Sequence, residues 1–512
     1  MSTVSQSREF ILPNPTEVYL LVAAGWSGAC FALLLAGQRL IRRLVNLSSM
    51  SRQLLEGTDL ISVLPLVMML GLIGITVAFY VFSKYPKLFI CLILLSFGFA
   101  DSTWSAIHTV AFLVKYVSVV YIGSFGLFFV YRNWNRINQP VHWLVIIYML
   151  WMAFIVWFYG MRINGIWFVG TQFTLLIAFG VGWMARVNDD KKLMEFNYLV
   201  AYTAMVTTCL HMISPIVVSQ VFDGGRFTSQ FTNATGFATT YVLFVTSLVW
   251  LALAHPKKAM RWVGVVFSVL GVGMVFLSGT RNATAALICA IIVLSISFRS
   301  KLIWWAIGIG AFVGAIAFLL LAGSDTTQDL TSERLTSFRN NRADVWAVYI
   351  ESVFERPLFG WGPDGQTGAF YGERAQALAE QFTTRGFAPG VHNSVLGQTV
   401  RFGIPGGVLF ISMFTYAFWR AKEIVLSDSI PQSYKVAFSL PLVILVTIFL
   451  EGAFEDNFNT PRGSVVNVLF GTTVILVVMF ADRIKRQVAQ DIESGKIRDP
   501  SIPIERKKLV RI

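Results

Sequence analysis

The sequence predicts an all-α polytopic membrane protein with about 12–14 transmembrane helices and one long, partly helical loop on a single face. Three observations carry this. The 512 residues are 55% hydrophobic and only 13% charged, against about 25% charged in an average soluble domain. Apolar runs near the length a helix needs to cross a bilayer recur along the whole chain. Basic residues gather in the short connections and the tail, the pattern that sets orientation in a multi-pass protein.

Taken in order, the candidate spans fall at 17–38, 60–82, 88–104, 107–131, 141–159, 166–185, 198–218, 234–254, 260–278, 282–298, 302–322, 404–422, 436–451 and 464–481. Charged or turn residues bound most of them. They divide the chain into an N-terminal membrane segment (1–87), a transmembrane core (88–322), a loop (323–403), C-terminal transmembrane helices (404–482) and a basic tail (483–512). The tail carries Arg483, Lys485, Arg486, Lys496, Arg498, Arg506, Lys507, Lys508 and Arg511, so it is expected in the cytoplasm. Counting back puts Arg420/Lys422, Arg299/Lys301, Lys257/Lys258/Arg261, Arg186/Lys191/Lys192 and Arg132/Arg136 on the same side. Arg39, Arg42, Arg43 and Arg52 break the rule, so residues 39–56 either follow a span that does not cross simply or lie along the interface.

The same count puts the turns 223–233 and 279–281 and the loop 323–403 on the outer side. Loops longer than about 12–15 residues are usually functional or disordered. This one of 81 residues is rich in aromatics, among them Trp346, Tyr349, Phe354, Phe359, Trp361 and Tyr371. Residues 341–355 read as an amphipathic helix with Val345, Trp346, Tyr349 and Val353 at helical spacing, ended by Pro357 and followed by the turn-forming Gly360, Gly362 and Gly365.

The net charge of +13 is spent on orientation, which makes nucleic-acid binding an unneeded reading. Cys30, Cys91, Cys209 and Cys289 all lie inside apolar runs without metal-ligand or disulfide spacing, and the five histidines are scattered. No cleavable leader is expected, since residues 1–16 are polar and the first apolar run lacks a cleavage pattern. Lys115 and Glu451 are the notable charges within spans, the latter near a membrane edge. A proton-coupled transporter more often carries several intramembrane carboxylates.

Three arginines and one histidine on the outer side stand out. Arg226 lies in GRFTSQFTNATGFA, Arg281 in LSGTRNATAAL, Arg342 in NNRADVW and His392 in APGVHNSVLGQTVRFGIPGG. Taken singly, an arginine at a helix end is more often a snorkelling anchor, and an external histidine a surface residue. As an ordered set they suit a diphosphate: guanidinium groups hold phosphate oxygens in a planar, bidentate way, and a histidine takes a proton from an incoming hydroxyl.

LSGTRNATAALI, NNRADVWAVYIESVFERPLFGWGPDG and VHNSVLGQTVRFGIPGGVLFI, in that order and at those intervals, resemble the O-antigen ligase and polymerase superfamily, whose C-terminal region is called the Wzy C domain. DSTWSAIHTVAFLVKY resembles the family's Trp-Ser turn between two early spans, and the resemblance covers about residues 88–480. Thr280 stands where Ser is common in that family, and Ser394 where an aromatic is common. The resemblance implies a GT-C-type glycosyltransferase of the bacterial inner membrane with its site facing the periplasm. Such an enzyme takes a glycan from undecaprenyl diphosphate. A polymerase passes it to a lipid-linked repeat, and a ligase to lipid A core. No metal, nucleotide or other cofactor is implied. Membrane lipid and other polysaccharide-assembly proteins are the further expected partners. By motif, Arg281 and Arg342, with Arg226 as a further contact, hold the diphosphate, and His392 is the general base. Between the two activities the look of the chain leans slightly to polymerase. The competing readings are a transporter or flippase of lipid-linked oligosaccharide, which would show internal symmetry and a charged interior, and a structural scaffold.

Overall fold

A computed structural model describes residues 76–82, 84–132, 139–160, 163–218, 220–223, 226–231, 233–298, 342–363, 391–427, 430–458 and 464–494. The candidate spans 17–38 and 302–322, most of 60–82, the basic stretch 39–56 and the tail beyond 494 lie outside the described residues. Among the described residues, ten helices are long and apolar enough to cross a membrane. The protein is therefore an all-α, multi-pass membrane protein.

Its elements run as α1 (Pro86–Phe99), α2 (Ser105–Arg132), α3 (Pro140–Phe158), α4 (Ile163–Phe173), α5 (Asp190–Val217), α6 (Ala234–Ala254), α7 (Lys258–Leu277), α8 (Arg281–Phe298), α9 (Arg342–Glu355), α10 (Ser394–Val425), α11 (Gln432–Phe454) and α12 (Val465–Glu493). α1 and α3 open on proline, whose missing N–H costs nothing in a first turn. α4 runs on through a π-helical segment, Thr174–Trp183, and a 3-10 turn, Met184–Arg186, to complete its span. Between α5 and α6 a small antiparallel hairpin pairs β1 (Phe222–Asp223) with β2 (Arg226–Phe227).

α12 sits at the centre. Nearly every residue from Val465 to Ala481 is buried, as expected of a helix that is apolar on all sides. It packs on the π segment, α10 and α11. Backbones approach closely where side chains are smallest. A Cβ on Gly126 would collide with the Ala178 backbone, and one on Gly182 with the Gly126 carbonyl. A Cβ on Gly180 would come within 2.8 Å of the Gly471 carbonyl oxygen. Where both lipid and protein are apolar, such small-residue contacts and the dispersion they gain drive helix association.

The contacts define two ends of the bundle. One holds the starts of α2, α6, α8 and α10 and the ends of α3, α5, α7 and α11. There the α1–α2 turn meets the β2–α6 turn, through Thr103 N donating to Gln230 O (2.7 Å) and Ser102 Oγ to Gln230 Oε1 (2.9 Å). The opposite end is laced by ion pairs, among them Arg420 with Asp482 and Lys485 with Glu423, and by Gln432 Nε2 donating to Ser297 O (2.5 Å).

Candidate functional site

α9 is the amphipathic loop helix. Val345, Tyr349 and Val353 are buried against Val391 and Val400 around the start of α10, with Trp361 and Leu396 packed beside them. Trp346 Nε1 donates to Val391 O (2.8 Å), and Trp361 Nε1 to Ser352 O (2.9 Å). The turn after α9 docks on a break in α10. Gly403 (φ 71°, ψ 178°) interrupts that helix ahead of Pro405, and Ile404 N donates to Pro357 O (2.7 Å). Gly360 (φ +63°) lies against the Arg401 carbonyl, where a Cβ would sit 2.6 Å from the oxygen. The glycines at 360 and 403 thus let two chain segments touch backbone to backbone. The expected boundary between loop and membrane falls at this break, and the helix itself already begins at Ser394.

His392 stands immediately before α10 with φ +47°, in the left-handed region that a side chain with a Cβ rarely occupies. Such a conformation persists only where its surroundings fix it. Here Val391 is held by Trp346, and Asn393 caps α10, its side chain accepting from Leu396 N (2.9 Å) and donating to Ala453 O (3.0 Å). The His392 ring, about a quarter exposed, places Nδ1 2.9 Å from Glu455 Oε2, just past the end of α11. A proton on Nδ1 shared with this carboxylate leaves Nε2 as the basic nitrogen. Ser394 Oγ donates to Glu455 O (2.8 Å), which fixes the carboxylate's own backbone.

Behind this pair lies a second. Arg401 and Asp456 form a buried ion pair, and the Asp456 carboxylate is cradled at Gly397, where a Cβ would sit 2.5 Å from Oδ2. Burial pushes the Asp456 carboxyl up from its ordinary range, opposed by the charges of Arg401 and, more weakly, His392. Burial likewise pushes the neighbouring Tyr349 phenol upward. On the other side of the pair, Tyr148 donates to Gln398 Oε1 (2.8 Å).

The arginines form a second group at the same end. Arg226 Nε donates to Ser278 O (2.7 Å) and Nη2 to Thr280 Oγ1 (3.0 Å), so its guanidinium lies over the turn that precedes Arg281. Gly279 takes φ +60° in that turn, and a Cβ there would sit 3.6 Å from Arg226 Nε. The Arg226 hairpin is anchored beneath by Ser229 (φ 55°), whose Oγ meets His211 Nδ1 at 2.8 Å and Ser214 Oγ at 3.0 Å. Arg281 opens α8 with its side chain exposed. Its neighbour Asn282 donates from Nδ2 to Glu451 Oε2 (2.7 Å), and Glu451 lies one helical turn before Glu455. Arg342 is the first residue of α9, one turn ahead of the Trp346 that holds Val391.

Arg226 and Arg281 are thus joined through one turn, and His392 is joined to Glu455. The two groups connect through Asn282 on α8 and Glu451 on α11, and Arg342 is placed only by its position at the start of α9. Four participants were not singled out in sequence: Glu455, Asp456, Arg401 and Asn282. The readable signal was three carboxylates, Glu451, Glu455 and Asp456, within six residues of a chain that has only 28 acidic residues. Thr280 and Ser394, the two departures from the family pattern, both have defined roles as hydrogen-bonding groups here. Among the described residues no cluster of three or more His, Cys, Asp or Glu could hold a metal ion.

No curated protein matches the chain. Residues 266–411, which contain Arg281, Arg342 and His392, match the O-antigen ligase family model, the family that the sequence motifs resemble.

Proposed function

We propose that this chain is an inverting glycosyltransferase of surface-polysaccharide assembly. It moves a glycan from undecaprenyl diphosphate to a sugar hydroxyl, at the outer face of a bacterial inner membrane and without a metal. The observation that carries the reading is the His392–Glu455 pair, at 2.9 Å, set at the same helix-bundle end as the arginine-bearing turn. The acceptor hydroxyl attacks the anomeric carbon as its proton passes to His392 Nε2. The C1–O bond to the diphosphate breaks, and its electron pair leaves with the phosphate oxygen. Glu455 stabilises the imidazolium that forms, while Arg281 and Arg342, with Arg226 as a further contact, meet the charge growing on the diphosphate. A single displacement inverts the anomeric centre.

The setting suits a lipid-borne donor. Ile350, Phe354 and Leu358, on one stripe of α9 and its following turn, are exposed, as are Phe154, Trp157 and Phe158 at the end of α3. Phe359 joins the two groups, stacking on Phe158 at 4.8 Å. An apolar stripe that runs from α9 to the exposed face of α3 supports a site at headgroup level, where a lipid diphosphate lies.

The test is a reconstituted transfer assay with a lipid-linked oligosaccharide repeat alone and with lipid A core added. A ladder without core identifies a polymerase, the form the chain leans toward; a product that needs core identifies a ligase. His392→Ala is expected to lower transfer about 10²–10⁴-fold with the fold intact. Absence of product with authentic substrates would overturn the enzyme reading in favour of a transporter.

A further inference from the structure

The end of the bundle opposite His392 carries a cleft of its own. It opens between the start of α1, the 3-10 turn that follows the π segment, and the first turns of α5. Lys87, Arg186, Lys192 and Glu195 supply its charge, and Ile90, Trp183 and Phe196 are among its apolar walls. Lys87 is paired with Glu195 (3.2 Å) and Lys192 with Asp189 (3.5 Å). Beyond these two pairs, Arg186 brings a third cation to the lining. The Arg186 guanidinium lies over the rings of Phe129 (4.8 Å) and Trp183 (5.7 Å), which fixes its plane. The Trp183 side chain is 4% exposed, and its indole N–H meets no acceptor among the described residues. Trp183 also ends the π-helical segment, a rare backbone form that occurs frequently at functional sites.

The surroundings set the depth. Tyr80, Tyr85 and Leu88 beside the cleft are exposed, and Lys84 lies over both tyrosine rings. Tyrosines and snorkelling lysines mark the level where lipid headgroups begin. A basic pocket between spanning helices at that level is suited to an anionic headgroup, and its apolar walls to the first part of an acyl chain.

We propose that this cleft is a binding site for an anionic phospholipid. Its phosphodiester is held between Arg186, Lys192 and Lys87, and its acyl chain lies along Ile90 and Phe196. The site is independent of the transfer reaction proposed above.

The test is native mass spectrometry of the full chain in detergent, titrated with phosphatidylglycerol and with phosphatidylcholine of the same acyl composition. Phosphatidylglycerol is expected to be retained at least tenfold better. The double variant Lys87→Gln/Lys192→Gln changes two solvent-reachable side chains, so helical content by circular dichroism should be unchanged while the preference disappears. Equal retention of the two lipids, or a preference that survives the double variant, overturns the proposal. Soluble glycerol 3-phosphate is the remaining arm. Failure to displace the lipid at matched concentration supports a lipid site, and mole-for-mole displacement would show a simple anion site and overturn it.

Discussion

His392 is the residue on which most of the local chemistry converges, and its partner sits 63 residues away in sequence. A carboxylate beside an imidazole favours the protonated ring. Glu455→Gln should lower the maximum rate by about 10²–10⁴-fold with the fold intact; an unchanged rate would mean that this carboxylate does not assist the ring. Arg401 tests the layer behind. Arg401→Met strands a buried Asp456 without its counter-charge, which should cost about 3–5 kcal/mol, read as a lowered midpoint of thermal unfolding in detergent. The paired change Arg401→Met/Asp456→Leu should recover most of that loss, because no charge is then buried alone. The arginines and the histidine were legible because each lies in a short local motif. Glu455, Asp456, Arg401 and Asn282 were not, since each matters through a partner that only the packing of α8, α10 and α11 supplies.

Gly403 shows what an element contributes that a residue cannot. It breaks α10 at φ 71°, and its missing side chain lets the Leu358 carbonyl of the α9 turn press against the helix. Gly403→Ala forces a Cβ into a positive-φ, extended-ψ region that is essentially glycine's alone, at about 1–3 kcal/mol, and into contact with that carbonyl. It is expected to lower the unfolding midpoint and, by shifting α9 from α10, to lower transfer more than the stability loss accounts for; full activity would mean that the docking of α9 does not position the site. Among the described residues, hydropathy located the spans well, with 234–254 read to the residue as Ala234–Ala254. It undershot α5, α10 and α12, which begin at Asp190 and Ser394 and end at Glu493, against expected limits of 198, 404 and 481. The apolar run measures the bilayer, whereas backbone hydrogen bonding continues past it when polar side chains find partners. Asp190 is paired with Arg483 (3.8 Å), Lys485 with Glu423, and Asn393 caps the front of α10. The amphipathic helix of the loop was legible from Val345, Tyr349 and Val353, which face the core at one spacing. The π segment was not, because Thr174–Trp183 reads as an ordinary apolar run.

The two ends of the whole bundle differ in charge, and that difference carries a prediction of orientation. Among the described residues, Lys87, Arg132, Arg186, Lys191, Lys192, Lys257, Lys258, Arg261, Arg420, Lys422, Arg483, Lys485 and Arg486 lie toward one end. Toward the other lie Arg226, Arg281, Arg342, Arg356 and Arg401, of which Arg401 is neutralised by Asp456. The positive-inside rule assigns the first end to the cytoplasm. The few cations at the second end then need a reason other than orientation, and an anionic donor on the outer face supplies one. With Cys30, Cys91, Cys209 and Cys289 replaced by alanine, a membrane-impermeant maleimide should label Glu355→Cys in intact spheroplasts. Glu493→Cys should be labelled only after permeabilisation. Both side chains are exposed and charged in the parent chain, so neither substitution disturbs packing. The reverse labelling would turn the His392 end toward the cytoplasm. The arginines would then face the side on which basic residues are ordinary, and their assignment to a diphosphate at the outer surface would fall with the orientation.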